Sequence, residues 1–269
     1  MRRFCGMLDL VTTHRSQHPG VLLEDLTWTE AEAHLTPETV VVIPIGAAAK
    51  EHGPHLLLKN DFILAEYFKR RVLEGSSVVI APTVAYHFYP AFVEYPGSIT
   101  LQFDTARDLI IDICKSLAAF GPRRFYALNT GVSTLRPLAA AAEELLVAGI
   151  LLRYTDIKKA LQPAEAEVCQ QEGGSHADET ETSMLLYIDP TSVDMTKAEK
   201  DYDRNGKGGL SRKPGGSSTY SPTGIWGDAT LATREKGDII VNAVVRVLFE
   251  DIEATRRAPL PNLPRPEEL

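Results

Sequence analysis

The chain has 269 residues, 44% hydrophobic and 24% charged, with a formal net charge of −8. That balance is enough for a sizeable core and excludes a disordered or low-complexity chain. The acidic excess argues against nucleic acid as the main partner, because phosphate binding needs a basic face.

No apolar run approaches the roughly 18–20 residues of a membrane span, so no membrane association is expected. The basic start Met1-Arg2-Arg3-Phe4-Cys5 lacks a long apolar stretch before a small-residue cleavage site. Cys5, Cys114 and Cys169 are too scattered for a disulfide framework. The expectation is a cytoplasmic protein with free thiols.

The first 25 residues have weak periodicity and are expected to pack across the surface. Thr27 is a good N-cap for a short helix over Trp28 to Leu35. The β-branched run Val40 to Ile45 predicts a buried strand, and the spacing of Phe62, Ala65, Phe68 and Val72 predicts a helix after it. Val78-Val79-Ile80 predicts a second strand. Asp104 suits the N-cap of a helix whose apolar face is Ile110, Ile113, Cys114 and Leu117, ended by Gly121-Pro122. Ile99 to Phe103 resembles a strand after the turn Tyr95-Pro96-Gly97-Ser98.

Arg124 to Leu128 predicts a third strand, Leu135 to Val147 a helix, and Ile150 to Tyr154 a fourth strand. Asp156 to Glu172 is polar and Ala-rich, either helix or excursion. Glu179 to Ile188 predicts a helix closed by Asp189-Pro190. Residues 199–224 are loop-like, with Gly and Ser dense enough to suggest a mobile or ligand-facing segment. A long helix is expected from about Ala229 to Ile252, with Gly237 as a weak point. Strand alternating with helix at these distances implies a three-layer α/β/α domain on a mostly parallel sheet. No linker splits the chain, so residues 1–269 are one domain, with a Pro-punctuated extended tail over 256–269 suited to reach another subunit.

Chemistry concentrates in loops. After the first strand comes Glu51-His52-Gly53-Pro54-His55, then Asp61 at a helix start. Two imidazoles and two acids within eleven residues resemble a divalent-metal site. The alternative is a turn whose histidines satisfy backbone groups and whose Asp61 caps a helix. A second cluster, Gly173 to Ser183, carries His176 and the acids Asp178, Glu179 and Glu181. Glu179 and Glu181 are two apart and cannot share a helix face, so one can face a site while the other is solvated. The loop Asn129 to Ser133 offers Asn129, Thr130 and Ser133 to a substrate. Tyr86, His87, Tyr89, Tyr154 and Trp226 are candidates to shape the pocket.

In this order the clusters resemble the creatininase family of creatinine amidohydrolases and their formamide-hydrolysing relatives. The family motif G-x-x-E-Q-H-G-x-H, with an Asp nine residues after its first His, is met by Gly46, His52-Gly53-Pro54-His55 and Asp61. The P-G-T-x-x-L turn is met by Pro96-Gly97-Ser98-Ile99-Thr100-Leu101. The H-A-x-x-x-E-T-S element is met by His176-Ala177 and Glu181-Thr182-Ser183. A C-terminal match runs over Pro222-Thr223-Gly224 and Ala232 to Gly237. The resemblance covers roughly residues 22–255.

There are departures. Lys50 stands where the family has a ligand Glu, with Glu51 one place on, and Thr130 and Val132 stand where it has a His and, in some members, a Glu. The resemblance implies a creatininase-like fold, a hydrolase acting on a C–N bond of a small amide, cyclic amide or formamide, and a homo-oligomer, a hexamer by analogy. It implies a divalent metal, zinc first with manganese or iron as alternatives, and leaves one or two ions open. Glu51, His52 and Asp61 would hold it, with Glu181 as fourth ligand and His55 in reserve, and His176 would shuttle the proton. The other reading is a metal-free member of the fold that binds a metabolite or a partner subunit.

Overall fold

The computed structural model describes residues 18–206, 209–215 and 218–263. Cys5 and the last part of the expected tail lie outside them. Five parallel strands form the central sheet: β1 (Val21–Leu22), β2 (Val40–Ile45), β3 (Val79–Ile80), β4 (Arg124–Asn129) and β5 (Leu151–Tyr154), in the order β1-β3-β2-β4-β5. The two-residue β1 is the edge strand that the weakly periodic N-terminal segment did not announce.

Among the described residues seven helices surround the sheet: α1 (Trp28–His34), α2 (Asn60–Gly75), α3 (Phe103–Ala118), α4 (Leu135–Val147), α5 (Ile157–Val168), α6 (Glu179–Ile188) and α7 (Arg234–Arg257). The pleat explains the layers. Val40 and Val42 face one side with Tyr126 and Leu128, against α2, α5, α6 and α7. Val41, Ile43 and Ile45 face the other with Phe125 and Ala127, against α3 and α4. A strand buried on both faces reads as an unbroken apolar run, which is how β2 was visible.

Several boundaries differ from expectation. Thr27 caps α1 in a full capping box with Glu30. Asp104, by contrast, is not the cap of α3: Gln102 holds that position without a side-chain bond, and Asp104 pairs with Arg107 inside the first turn. Residues 99–102 are not a strand. They run as irregular chain across the loops, with the Ile99 amide donating to Ala49 O and Leu101 to His87 O. The segment from Asp156 resolves as a helix, α5, because Asp156 caps it. The C-terminal helix starts later than Ala229, since a short 3-10 turn over Ala229–Leu231 precedes Thr233, which caps α7.

Within 199–224 the chain forms β6 (Lys200–Asp201), antiparallel to β9 (Gly227–Asp228), and β7 (Leu210–Ser211), parallel to β8 (Thr219–Tyr220). Described residues of the C-terminal tail lie against the start of this chain's own β4, where Arg123 donates to Pro261 O and Arg124 to Ala258 O. Cys114 and Cys169 are free thiols. Among the described residues no helix is long and apolar enough to cross a membrane.

The chain leaves β2 towards β3 on one side and returns past it to β4 on the other. The sheet therefore has its switch point between the ends of β2 and β4, where open α/β folds form crevices.

Candidate active site

Gly46, the first residue beyond β2, lets α2 approach closely. A Cβ there would meet the Asp61 carbonyl oxygen and lie 2.6 Å from Ala65 Cβ. This contact, with the Phe62 amide donating to Ala47 O, brings the first turn of α2 over the strand end and delivers Asp61 to the His52 loop.

Two adjacent carbonyls then fix two imidazoles. His52 Nδ1 lies 2.9 Å from Lys50 O, and His176 Nε2 lies 3.0 Å from Glu51 O. A carbonyl accepts only, so each of those nitrogens carries hydrogen. His52 Nε2 and His176 Nδ1 remain as the free donors of electron pairs. His52 Nε2 faces Asp61 Oδ1 at 2.7 Å and His176 Nδ1 faces Glu181 Oε2 at 3.5 Å. Such pairs of acceptors need a proton or a cation between them. His52, His176 and Glu181 each place one ligand atom within 4.8 Å of the others'. The rings of His52 and His176 are 5.0 Å apart, and Phe92 packs 4.3 Å from His176.

The second cluster is brought in by backbone pairing. His176 bridges Trp226, with the Trp226 amide donating to His176 O at 2.9 Å. Ala177 takes a left-handed φ of 48° and donates to Glu181 Oε2 at 2.6 Å, which turns the carboxylate back towards the ring. Asp178 caps α6 through the Thr180 and Glu181 amides. Burial and the Glu181 charge push its carboxyl up to about 7. Glu179 is not solvated, as helix spacing had suggested for one of the pair. It is fully buried, paired with Lys236 and bonded by the amides of Gln170 and Gln171.

The other expected residues are placed as follows. Glu51 turns its carboxylate to His176 Nε2 at 3.1 Å and accepts from the Gly53 amide, while its own amide donates to Ser98 Oγ. Burial would raise its pKa, but His176, the Gly53 amide and His52 together outweigh it and the net shift is downward. Asp61 is fully buried, and although burial works against its charge, Lys50 and His52 hold it well below the usual carboxylate range. His55 stands outside the metal-capable trio, bonded to Thr182 at 2.8 Å; burial and then His52 push it down to about 4. For His176, burial is overruled by Glu51 and Glu181, and the shift is upward.

A cavity of about 820 Å³ opens beside His176 and Glu181, walled by Lys50, Thr130, Ser133 and Trp226 among others, while His52 is buried behind them. Thr130 borders it, but its hydroxyl is aimed at Ile45 O and Asp61 O. Asn129 is not in the wall: it is buried and satisfied by Gly131 and Thr134 of its own loop and by the Thr155 carbonyl just after β5. Of the candidate pocket-shaping aromatics, Tyr89 and Trp226 line the cavity, whereas Tyr86, His87 and Tyr154 do not. The 199–224 loop contributes Tyr202, Gly209 and Leu210 to that wall, as its composition suggested, whereas sequence reasoning missed Phe92 there and Lys50 as a buried cation 2.7 Å from Asp61 Oδ2.

The donor set fits one divalent ion. Two imidazoles with fixed tautomers and a carboxylate are zinc- or manganese-type ligands, and each ring is oriented from behind by an acceptor.

The fold and this cluster define an α/β protein with a candidate metal site in the crevice of its parallel sheet. The profile of the creatininase family, described as creatinine amidohydrolase, matches residues 24–252, and the chain belongs to that family. Creatinine amidohydrolase of Pseudomonas putida is 26% identical over 254 residues, covering 87% of this chain and 96% of that protein. The mycofactocin precursor peptide peptidase of Mycobacterium ulcerans is 28% identical over 215 residues, covering 73% and 78%. A solved creatininase in an Mn form superposes with a TM-score of 0.70 at 23% identity, covering 89% of this chain and 100% of that one.

Proposed function

We propose that this chain is a metal-dependent hydrolase acting on a C–N bond of a small amide, cyclic amide or formamide. The observation that supports it is the meeting of His52, His176 and Glu181, the last two of which line the cavity. These three would hold one ion, zinc first and manganese or iron next, with Asp61 beside His52. Such an ion supplies Lewis acidity and lowers the pKa of bound water towards ~7.

The chain's own groups do the positioning. Lys50 O and Glu51 O set the tautomers, and the Glu51 carboxylate braces His176 from behind. With its Nε2 hydrogen committed to Glu51, His176 has no free proton to give, so the shuttle role expected from the sequence is not carried over. Glu51 is accordingly an orienting group in this reading. Ser133 and Thr130 border the substrate, and Asn129 holds their loop in shape.

The cavity is large for a five-membered ring, being towards the upper end of small-molecule sites. The relative from Mycobacterium ulcerans is named a peptidase, which makes a short peptide amide the second substrate class to try.

The test is hydrolysis by zinc- and manganese-loaded protein of a panel of formamides, cyclic amides and short peptide amides, beside His52→Ala and Glu181→Gln. Turnover lost in both variants supports the proposal. Full activity in both refutes it, and absence of both metal and turnover in the native protein favours the metal-free binder. The homo-oligomer, a hexamer by family analogy, is tested by sedimentation velocity.

A further inference from the structure

Lys50 is only 5% exposed, although it borders the cavity. Its Nζ lies 2.7 Å from Asp61 Oδ2, under the rings of Phe92 at 4.8 Å and Tyr89 at 5.7 Å. The contact is close but poorly angled for a hydrogen bond, so Oδ2 keeps a lone pair without a directed donor. Asp61 is thus split. One oxygen addresses His52 and the trio, and the other addresses an ammonium.

We propose that the Lys50 ammonium is a built-in second cation of this site, occupying the outer side of Asp61 and limiting the centre to a single divalent ion. The inference rests on the metal-dependent reading above and deepens it.

Three observations support it. An ion bound to Asp61 Oδ2 would sit almost on top of Nζ, and like charges so close in a buried site repel strongly. The groups around Nζ are poor metal ligands: the rings of Phe92 and Tyr89, while the Thr130 hydroxyl nearby is already directed at the Ile45 and Asp61 main-chain carbonyls. The carboxylates in contact with the two imidazoles also balance for one ion. Glu51, Asp61 and Glu181 are offset by Lys50 and one dication when the imidazoles are neutral, and a second dication would leave the site strongly positive. Asp178 and Glu165 also border the cavity, but their oxygens go to the α6 amides, Gln171 and Thr180.

The test is equilibrium dialysis of metal-stripped full-length protein against zinc and manganese, with metal counted by mass spectrometry. Native protein, Lys50→Met and Lys50→Arg are compared, and circular dichroism checks the fold. The expected result is saturation at one ion per chain in the native protein. Lys50→Met, which keeps the length and removes the charge, should bind that ion at least tenfold more tightly or accept a second. Lys50→Arg should keep the native stoichiometry.

Two ions in the native protein, or unchanged or weaker binding in a folded Lys50→Met, overturns the proposal. No ion in the native protein but one in Lys50→Met would sink the metal-dependent function while sustaining the role of Lys50 as a resident cation. No ion in either sinks both. If Lys50→Met does not fold, the native stoichiometry alone still decides between one ion and two.

Discussion

Glu51 holds His176 twice through one ring nitrogen: Nε2 lies 3.0 Å from its carbonyl oxygen and 3.1 Å from its carboxylate. The residues are 125 apart in sequence, and this single contact ties the β2 loop to the start of α6. It also decides which face of the imidazole is free. Replacing Glu51 with Gln keeps the size and removes the charge that braces the ring. Orienting carboxylates behind ligand histidines are worth roughly 10–100-fold in metal affinity or activity. Glu51→Gln should lose zinc affinity in that range while unfolding at nearly the native temperature. Native-like affinity by dialysis would show that the brace is dispensable.

Gly224 guards the other side of the same carboxylate. Its φ is +84°, and a Cβ there would run into the Glu51 carboxyl group. Gly224→Ala should therefore displace Glu51 and cost about 1 kcal/mol or more in backbone strain. The expected outcome is loss of hydrolysis on the scale of Glu51→Gln, with a folded protein by circular dichroism. An active Gly224→Ala enzyme would mean that Glu51 does not need its present position.

Gly237 gives a prediction of opposite sense to helix propensity. In an exposed helix interior, Gly→Ala gains about 1 kcal/mol. Here Gly237 sits inside α7 where it crosses α6, and an added Cβ would meet the Ser183 carbonyl and lie 2.9 Å from Tyr187 Cβ. Main chain cannot step aside as a side chain can. Gly237→Ala should destabilise by about 1–3 kcal/mol, lowering the melting temperature by several degrees. An unchanged or raised melting temperature would mean the two helices can separate without cost.

His87 should make stability fall in acid. It is fully buried and neither ring nitrogen has a well-formed hydrogen bond. Burial pushes its pKa down to about 4, with the Ala106 main chain opposing weakly. The unfolded chain takes up this proton first, near the ordinary 6.5, so stability present above that pH is lost as pH falls towards 4. The full loss from this group is on the order of 3 kcal/mol. Urea midpoints from pH 7.5 to 4.5 should fall more steeply for the native protein than for His87→Leu. Parallel curves would contradict the assignment.

How much of this was legible in the chain depends on how local each cause is. The run Val40 to Ile45 spells a strand because both its faces are buried, and α4 and α6 match their expected bounds because Leu, Ala and Glu patterning and the Asp178 cap are local signals. The approach of Asp61 to His52 was also readable, since nine residues separate them and a glycine marks the close contact.

Long-range pairings were not. Nothing in Glu51 announces that it braces His176, nothing in Glu179 that Lys236 neutralises it, and nothing in Lys50 that its ammonium is buried on Asp61. These depend on where the sheet's switch point puts loops that are distant in sequence. Asn129 misled for a related reason: a polar side chain in a loop at the catalytic edge is equally suited to stitch that loop together and tie it to the chain after β5, as its four bonds do.

The most direct test is an anomalous difference map from crystals grown with zinc or manganese. The account predicts one peak per chain, about 2.0–2.2 Å from His52 Nε2, His176 Nδ1 and a Glu181 oxygen. Crystals saturated with metal but lacking a peak there, with His52 and His176 still bonded only to Asp61 and Glu51, would contradict it.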